Sequence, residues 1–370
     1  MHASLLSQTL QALHKINRSL CIEGPPGGGK TSVVRQTARL MAGCTNDSVH
    51  PDEHMVGSIT VYTGQTQAFG YSEVHLPTKT VDDFGIPDML NKGETIAYRL
   101  FEWFPAIHRT DIPERGILCF DDRNQASADI QKVLANIIQA RTLHGVMLKP
   151  GWQVVSTGNR QSDRAGAGRV LSHLRNRESV VNFETSLKDW IAYAEGAGVH
   201  PYVVSFLRFR PDLLHAFDPD KPASPTPRSW AEGVAPLIGV VPDDAEHELF
   251  CGAVGDGAAA EFVGFLRIAR SLTSPDVILK DPDNSPIPTD TATLYALTGA
   301  LAHRVVKAPT LPDAQVMASA VLRYVTRFAS MGRAEFGVIA VSSMLKRSDL
   351  KAASFPGLPE FFMKNQSVMF

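Results

Sequence analysis

A short glycine-rich stretch near the N-terminus, residues 20–32, constrains the fold more than any other part of the chain. Its sequence is LCIEGPPGGGKTS, an apolar run followed by a turn-forming segment and by residues that favour a helix. Gly24, Gly29, Lys30 and Thr31 fit the spacing G-x-x-x-x-G-K-[ST], whose required context is a strand before the loop and a helix after it. The pattern therefore predicts a strand, a loop and a helix start, in that order.

The same stretch predicts a phosphate site. Glycines let the main chain approach phosphate oxygens, and the N–H groups of the loop and of the helix start are donors at the positive end of the helix dipole. Lys30 would place its ammonium on the β/γ oxygens, and the Thr31 hydroxyl would hold Mg²⁺. The alternative is a surface turn with a chance Lys-Thr pair, which the strand and helix context disfavours. The expected phosphate-binding residues are Gly24, Pro25, Pro26, Gly27, Gly28, Gly29, Lys30, Thr31 and Ser32.

Composition sets the limits of the fold and of its partners. With 370 residues the chain exceeds the usual size of one compact domain, so two domains are expected. The 36 Lys and Arg nearly balance the 38 Asp and Glu, and the overall charge thus favours neither nucleic acid nor an acidic membrane as an obligate partner. The four scattered cysteines form no C-x-x-C pair, which speaks against a zinc site and a disulfide framework. Without a long apolar run or a secretory signal pattern, the sequence predicts a cytoplasmic location and no membrane partner.

A second apolar stretch, GILCFDD at residues 116–122, ends in two acids. Its unbroken apolar character predicts a strand covered on both faces, as in a parallel sheet. Ligands of open α/β sheets bind at the carboxyl ends of the strands. We therefore expect Asp121 to reach Mg²⁺, directly or through water, and Asp122 to orient or deprotonate an attacking water. The alternative is a pair of turn-forming aspartates, which the nearby phosphate loop disfavours.

Further polar residues follow later in the chain. A predicted strand at 152–156 leads to Asn159, whose amide would bond the γ-phosphate or the water, although an Asn after a Gly is usually a turn residue. Arg175 and Arg177 lie near the end of a predicted helix. They are either solvated or an arginine finger for a neighbouring subunit, and the residues alone allow both roles. Arg228 follows a helix-opening proline and is placed to face the nucleotide.

The remaining sequence suggests two regions. Residues 46–113 lack strong periodicity and predict an insertion; the aromatic cluster at 101–105 within it is either exposed or, as we favour, core. From residue 201 onward the pattern is helical, and we divide the chain into a nucleotide-binding core at 1–196 and a helical region at 197–370. The predicted helices in the second region are 203–209, 227–238, 246–272, 289–306, 311–328 and 336–346, with a glycine-rich interruption at 252–257.

The motifs together resemble those of the MoxR-like AAA+ ATPases, over about residues 18–240. GPPGGGKT resembles their Walker A loop, CFDDRNQA their Walker B strand, STGN their sensor 1, NRQSDRAGAGRVLSHLRNR their arginine-finger segment and PTPRSW their sensor 2. The resemblance implies an α/β fold, an AAA+ P-loop parallel sheet flanked by helices, followed by an enlarged all-helical lid domain.

The resemblance also implies a function. ATP with Mg²⁺ would bind between subunits of a homo-oligomeric ring, usually a hexamer, with the insert projecting toward a protein client. Arg177 matches the finger position best and Arg175 second, and Arg228 would act in cis from the lid. Relatives often act as remodelling or assembly chaperones on a partner with a von Willebrand A domain. The chain is thus expected to be an ATP hydrolase of this kind.

Two residues depart from the family pattern. Asp122 stands where the family usually has Glu, and a misplacement on the order of 1 Å can cost about 100-fold in rate, so slow hydrolysis is expected. Glu178 stands where an apolar residue is usual and is expected to pair with a nearby arginine. Two alternative functions remain: an ATP-binding ring scaffold with little hydrolysis, and a nucleic-acid-associated AAA+ motor, for which no basic stripe is obvious.

Overall fold

The computed structural model describes residues 1–44, 52–90, 93, 95–163, 176–353 and 355–365. The chain forms two compact units, Met1–Ser186 and Leu187–Phe370. The sequence-based division at 196/197 places the helix Leu187–Gly196 in the first domain, whereas here it opens the second unit because Trp190 and Ala194 pack in that unit's core. None of the described helices combines the length and apolar character that crossing a membrane requires.

The first unit is built on a seven-stranded sheet. Its strand order is β11-β1-β10-β7-β4-β3-β2; neighbours from β11 to β4 run parallel, whereas β3 and β2 are antiparallel to their neighbours. Two small hairpins, β5–β6 and β8–β9, lie outside it. The strands are β1 Leu20–Glu23, β2 Asp52–Val56, β3 Ile59–Thr63, β4 Phe69–His75, β5 Ile86–Leu90, β6 Thr95–Arg99, β7 Arg115–Asp121, β8 Thr142–Leu143, β9 Val146–Met147, β10 Gly151–Gly158 and β11 Ser179–Asn182.

Helices cover both faces of this sheet, as the apolar character of β7 predicted. Among the residues that the structure describes, the α-helices of the unit are α1 Ala3–His14, α2 Lys30–Met41 and α3 Ala128–Ala140. Alternate β7 residues serve the two faces, because successive strand side chains point to opposite sides. Leu118 and Phe120 pack in one cluster with α3, while Ile117 and Cys119 pack in the other with α1 and α2. The mostly parallel, helix-flanked sheet expected from the sequence is confirmed.

Much of segment 46–113, which the sequence predicted to be an insertion, contributes strands to the sheet. β4 lies inside the sheet and pairs in parallel with β7, and β2 and β3 extend the sheet beyond it. These strands are short and mix Gly, Thr and His with apolar residues, which conceals their alternation in the sequence. In the aromatic cluster, Trp103 and Phe104 are buried and Phe101 is 37% exposed, in agreement with core packing.

A tryptophan fixes the three central strands of the sheet against one another. Trp152 in β10 is paired with Gly116 in β7, which is paired with Gly70 in β4. A Cβ at Gly116 would lie 2.6 Å from the indole and one at Gly70 would lie closer still, so only glycine leaves room for the ring. The indole N–H donates to the carbonyl of Pro113 at 2.9 Å.

In the second unit, all regular secondary structure of the described residues is helical. Its helices are α4 Leu187–Gly196, α5 Pro201–Phe209, α6 Asp243–Val254, α7 Asp256–Ser271, α8 Pro275–Lys280, α9 Thr291–Val306, α10 Leu311–Thr326, α11 Ala334–Met344, α12 Ser348–Ala352 and α13 Leu358–Lys364, with a π-helical turn at Ser229–Val234. The helix predicted at 246–272 is two helices, α6 and α7, because Gly255 between them has φ +80°. The expected helical C-terminal region is otherwise confirmed.

Candidate functional site

The glycine-rich loop leaves β1 and is held at its base by the neighbouring strands. The Gly24 N–H donates to the Gly158 carbonyl at 3.1 Å, and the Phe183 N–H donates to the Glu23 carbonyl at 2.6 Å. A Cβ at Gly24 would lie 2.9 Å from the carbonyl oxygen of Phe183, so the close approach requires glycine. Further along, Gly29 has φ +98°, a conformation that side-chain-bearing residues rarely adopt. The loop conformation therefore depends on the glycines of the motif.

Lys30 is buried at the centre of this site, with 6% of its surface exposed. Its ammonium donates to the carbonyls of Gly24 at 3.0 Å and Pro25 at 2.9 Å, and to Oδ1 of Asn159 at 3.0 Å. A lysine held this close to the glycine-rich loop places a positive charge where the N–H groups of the loop can also bind an anion.

The start of α2 supplies the second half of an anion site. The helix begins at Lys30 after Gly29, with no side-chain capping bond and no acidic residue in its first turn. An uncapped helix start presents backbone N–H donors and a partial positive charge. A Cβ built on Gly29 meets no atom within 4 Å, so there is open space above the loop. The buried ammonium and the open helix start together fit the phosphates of a nucleotide.

Asp121 lies at the carboxyl end of β7, beside Thr31. Its Oδ1 accepts from the Thr31 hydroxyl at 2.6 Å and the Thr157 hydroxyl at 2.5 Å, and its Oδ2 is 3.3 Å from Nδ1 of His75. Burial opposes ionisation, yet these hydrogen bonds hold the pKa of Asp121 below its ordinary value. Donor atoms of His75, Asp121 and Asp122 lie within 4.8 Å of one another. An ionised carboxylate beside a hydroxyl is a donor set that fits Mg²⁺.

Asp122 has a left-handed backbone, with φ +53° and ψ +43°. Asp is among the few residues besides Gly that adopt this conformation readily. Its N–H donates to the Thr157 hydroxyl at 3.2 Å, so Thr157 contacts both acids of the strand end. The backbone conformation gives a structural reason for a short carboxylate at this position.

Asn124 holds the backbone of Asn159 in place. Its amide nitrogen donates to the Asn159 carbonyl, and its amide oxygen accepts from the Asn159 N–H at 3.2 Å. Asn124 is 3% exposed, and a Cβ at Gly158 would lie 2.9 Å from its oxygen. The Gly in front of Asn159 thus allows the contact that fixes the amide against Lys30.

A buried arginine connects four segments of the first unit. Arg123 is 1% exposed, and its guanidinium pairs with the carboxylate of Glu178 and lies 3.6 Å from that of Glu23. The Ser156 hydroxyl accepts from Arg123 at 3.3 Å and donates to Glu178 at 3.1 Å. The expected pairing of Glu178 with a nearby arginine is confirmed, and that arginine is Arg123.

The three arginines that the sequence predicted to act on the nucleotide differ in their location and exposure. Arg177 is half-buried and directly precedes Glu178. Arg175 lies outside the described residues. Arg228 is exposed, belongs to the second unit and directly precedes the π-helical turn Ser229–Val234.

The structure brings together the phosphate loop, the two acids and the amide of Asn159, all expected from the sequence. Sequence reasoning missed four other residues of the site, namely His75, Arg123, Asn124 and Thr157. Two signals were available. Arg123 and Asn124 directly follow the two acids, and Thr157 lies within the STGN motif. His75 is the last residue of β4, so it could be predicted as a site residue only if that strand had been recognised.

Comparison with known proteins is consistent with this site. Residues 19–177 match the family model described as AAA domain (dynein-related subfamily), which covers less than half of the chain and lies within the first unit. No curated protein matches the chain.

Solved structures similar to the chain have low identity. NtrX from Brucella abortus in complex with ADP is 15% identical, with a TM-score of 0.37 over 99% of this chain and 68% of that one. A RuvB mutant of Thermotoga maritima is 15% identical, with a TM-score of 0.36 over 80% of this chain and 79% of that one. A DNA polymerase III gamma subunit-related protein from Thermotoga maritima is 10% identical, with a TM-score of 0.31 over 98% and 99%.

Proposed function

We propose that the chain is an ATP hydrolase of the AAA+ type, related to the MoxR-like group, and that the phosphate loop and the β7 and β10 strand ends form its active site. One observation carries the proposal. Lys30 bonds Asn159 at 3.0 Å while the adjacent Thr31 bonds Asp121 at 2.6 Å, so two distant strand ends converge on one phosphate loop. The match of residues 19–177 to an AAA domain supports the same assignment.

Different residues of the site bind the phosphates and the Mg²⁺ ion. ATP with Mg²⁺ supplies the phosphoryl group and the metal charge that neutralises it in transfer. Lys30 exchanges its carbonyl partners for phosphate oxygens, and the N–H groups of the loop and of the α2 start donate to the same phosphates. Thr31 and Asp121 hold Mg²⁺. Because Asp121 is already ionised, it needs no proton loss before it binds the cation.

Two residues act on the attacking water. The Asp122 carboxylate orients it and accepts its proton, while the Asn159 amide holds the water or the γ-phosphate. The Asp122 carboxylate is one methylene shorter than the Glu usual at this position, which places its oxygens farther from the water. Since such geometry is demanding, hydrolysis is slow.

We infer that the chain forms a homo-oligomeric ring, a hexamer, that remodels or assembles a protein client, for which a protein with a von Willebrand A domain is the candidate. Arg177, or Arg175 in its place, reaches the γ-phosphate of the neighbouring subunit, and Arg228 acts in cis. The order of these motifs along the chain supports this, as does the anchoring of Glu178, the residue next to Arg177, by Arg123. Hydrolysis then moves the helical lid relative to the core.

The test compares Lys30→Ala with Lys132→Ala. Lys132 is a matched control, because its side chain is 65% exposed on α3 and pairs with Asp129 on the same helix. We expect Lys30→Ala to lose at least about 10-fold in affinity for a fluorescent ATP analogue, the cost of one charge-assisted contact of roughly 1.5–3 kcal/mol, and to release no phosphate above background. Lys132→Ala should match wild type. Wild-type binding and turnover in Lys30→Ala would refute the site.

A second candidate function is a ring scaffold that binds ATP without productive hydrolysis, favoured by the short carboxylate of Asp122. Light scattering with and without ATP, combined with phosphate release from the assembled oligomer, separates the two. ATP-dependent assembly without turnover supports the scaffold, whereas turnover supports the hydrolase. A nucleic-acid motor would instead show turnover stimulated by DNA and by no protein client.

A further inference from the structure

Three side chains with metal-binding atoms converge where α6 meets α7 in the second unit. His247 and Cys251 are one helical turn apart in α6, and Asp256 begins α7. The Cys251 sulfur lies 3.8 Å from Nε2 of His247 and 3.6 Å from Oδ1 of Asp256, and these two atoms are 3.7 Å apart. The three donors thus form a nearly equilateral triangle.

The size of this triangle fits one face of a tetrahedral zinc site. With Zn–S of about 2.3 Å and Zn–N and Zn–O of about 2.0–2.2 Å, donors around tetrahedral Zn²⁺ lie roughly 3.3–3.7 Å apart. The observed separations of 3.6, 3.7 and 3.8 Å lie at the upper end of that range or slightly above it. Binding would require the side chains to close by a few tenths of an ångström. The imidazole would also turn one nitrogen toward the ion, because the Cys251 sulfur lies 3.6 Å from Nδ1 and 3.8 Å from Nε2.

The backbone holds the donors in this arrangement. A single residue, Gly255, joins the two helices, and its φ of +80° and a distance of 2.9 Å from a built Cβ to the Ala223 carbonyl oxygen both require glycine. Its N–H donates to the Cys251 carbonyl at 2.9 Å, and its carbonyl accepts from the Ala259 N–H at 3.0 Å. Phe250, next to Cys251, is fully buried and anchors α6. The backbone positions of the three residues are therefore fixed relative to one another.

The donors are also accessible from solvent. The side chains of His247 and Asp256 are 47% and 87% exposed, and Cys251 is half-buried. A metal ion and a fourth ligand from solvent can thus reach the cluster without unfolding the unit.

We propose that His247, Cys251 and Asp256 bind one Zn²⁺ ion, with the fourth position taken by water or by a ligand from a partner. A thiolate and an imidazole select Zn²⁺ over Mg²⁺, which prefers oxygen donors. Binding converts the thiol to a zinc-bound thiolate and releases its proton to solvent. The expectation against a zinc site considered only pairs of nearby cysteines, and an Asp on the next helix completes a set that such pairs do not reveal.

The test uses the full-length chain, stripped of metal with a chelator and titrated with Co²⁺ as a spectroscopic probe. We expect one equivalent to bind with a thiolate-to-cobalt charge-transfer band, which Zn²⁺ then displaces. Cys251→Ser should abolish the band. Asp256→Asn changes a side chain that is 87% exposed, and it should weaken binding by more than about 10-fold, the lower bound for losing even an outer-shell partner.

The control is Cys44→Ser, which removes a buried thiol in the first unit and should keep the band. The band also excludes a metal bound at His75, Asp121 and Asp122, because that cluster contains no sulfur. No band in wild type, or an unchanged band in Cys251→Ser, would overturn the proposal. Neither result would affect the assignment of the phosphate loop, which the Lys30 variant tests separately.

Discussion

The guanidinium of Arg123 pairs with the carboxylate of Glu178 in the interior of the first unit. Arg123 directly follows Asp121 and Asp122 at the end of β7, and Glu178 directly precedes β11. Glu23, the last residue of β1, lies 3.6 Å from the same guanidinium. The ends of β1 and β7 and the start of β11 are therefore connected through one buried cation.

Breaking this pair is expected to destabilise the first unit strongly. Glu178→Gln leaves a guanidinium with 1% exposure short of its counter-charge, and the loss of one partner of a buried pair costs about 3–5 kcal/mol. The double variant Arg123→Met, Glu178→Leu should recover most of that loss, because it leaves no buried charge behind. Chemical denaturation of the single and double variants measures the coupling. Additive losses would show that the pair contributes no coupling energy.

Asp122 is expected to limit the rate of hydrolysis. Asp122→Glu lengthens the carboxylate and should raise turnover, with a small fall in melting temperature because Glu tolerates the left-handed backbone less well. Asp122→Asn should bind ATP and release almost no phosphate, which makes it the variant for trapping a client. Phosphate release and nucleotide affinity are measured in parallel. Fast ATP turnover by the wild type, with no further increase in Asp122→Glu, would contradict the prediction that Asp122 limits the rate.

Asn124 is expected to be a positioning residue for Asn159. Asn124→Ala removes both hydrogen bonds to the Asn159 backbone and should lower kcat by about 100-fold, as small misplacements do. KM should change little, because the contacts of Lys30 with the loop remain. Asn136→Ala, on the exposed side of α3, is the control and should leave both kcat and KM unchanged. A rise in KM with kcat unchanged would indicate instead that Asn124 supports nucleotide binding.

Arg177 is expected to act on the nucleotide of a neighbouring subunit. Arg177→Ala and Lys30→Ala chains should each be inactive alone. Mixed, they should regain activity, because some interfaces then combine an intact Lys30 with an intact Arg177. The mixture should reach at most about a quarter of wild-type phosphate release, as random assembly predicts for arginine fingers supplied in trans. Arg175→Ala tested in the same way decides between the two arginines.

His200 is expected to make the second unit less stable in mild acid. Burial, with the nearby charges of His303 and Arg270, lowers its pKa from the ordinary 6.5 to about 4. The folded state therefore keeps the ring neutral where the unfolded state protonates it, so stability falls as pH drops from about 6.5 to about 4. Protonation also removes the acceptor that caps α5 through the Tyr202 N–H.

The measurement compares His200→Asn with wild type across that pH range. Asn also caps helix starts but does not titrate. The free energy of unfolding of wild type should therefore fall relative to that of the variant as pH decreases from 6.5 to 4. Parallel curves would show that His200 does not contribute to acid sensitivity.

The sequence predicted the elements with strong local signals. The phosphate loop, the acids at the end of β7 and the strand before Asn159 each follow an apolar run with a recognisable ending. β4 escaped prediction because its residues are mixed and its position depends on pairing with β7, which lies about 45 residues later in the chain. Arg123 and Asn124 directly follow the two predicted acids. Their partners Glu178 and Asn159 come close to them only when the sheet assembles, so the sequence did not show these contacts. Long-range pairing therefore accounts for most of what was missed.

The tryptophan and its two glycines have a consequence for catalysis. Gly70, Gly116 and Trp152 occupy one row across β4, β7 and β10, and in the same register His75 is paired with Asp121. Thr157 follows Ser156, the partner of Phe120, so it reaches Asp121 from the other side. A slip of either strand would drive a side chain into the indole before it could misalign the cation-binding acid. Packing in the hydrophobic interior thereby fixes the strand register, and the register in turn sets the positions of His75, Asp121 and Thr157 at the carboxyl edge of the sheet.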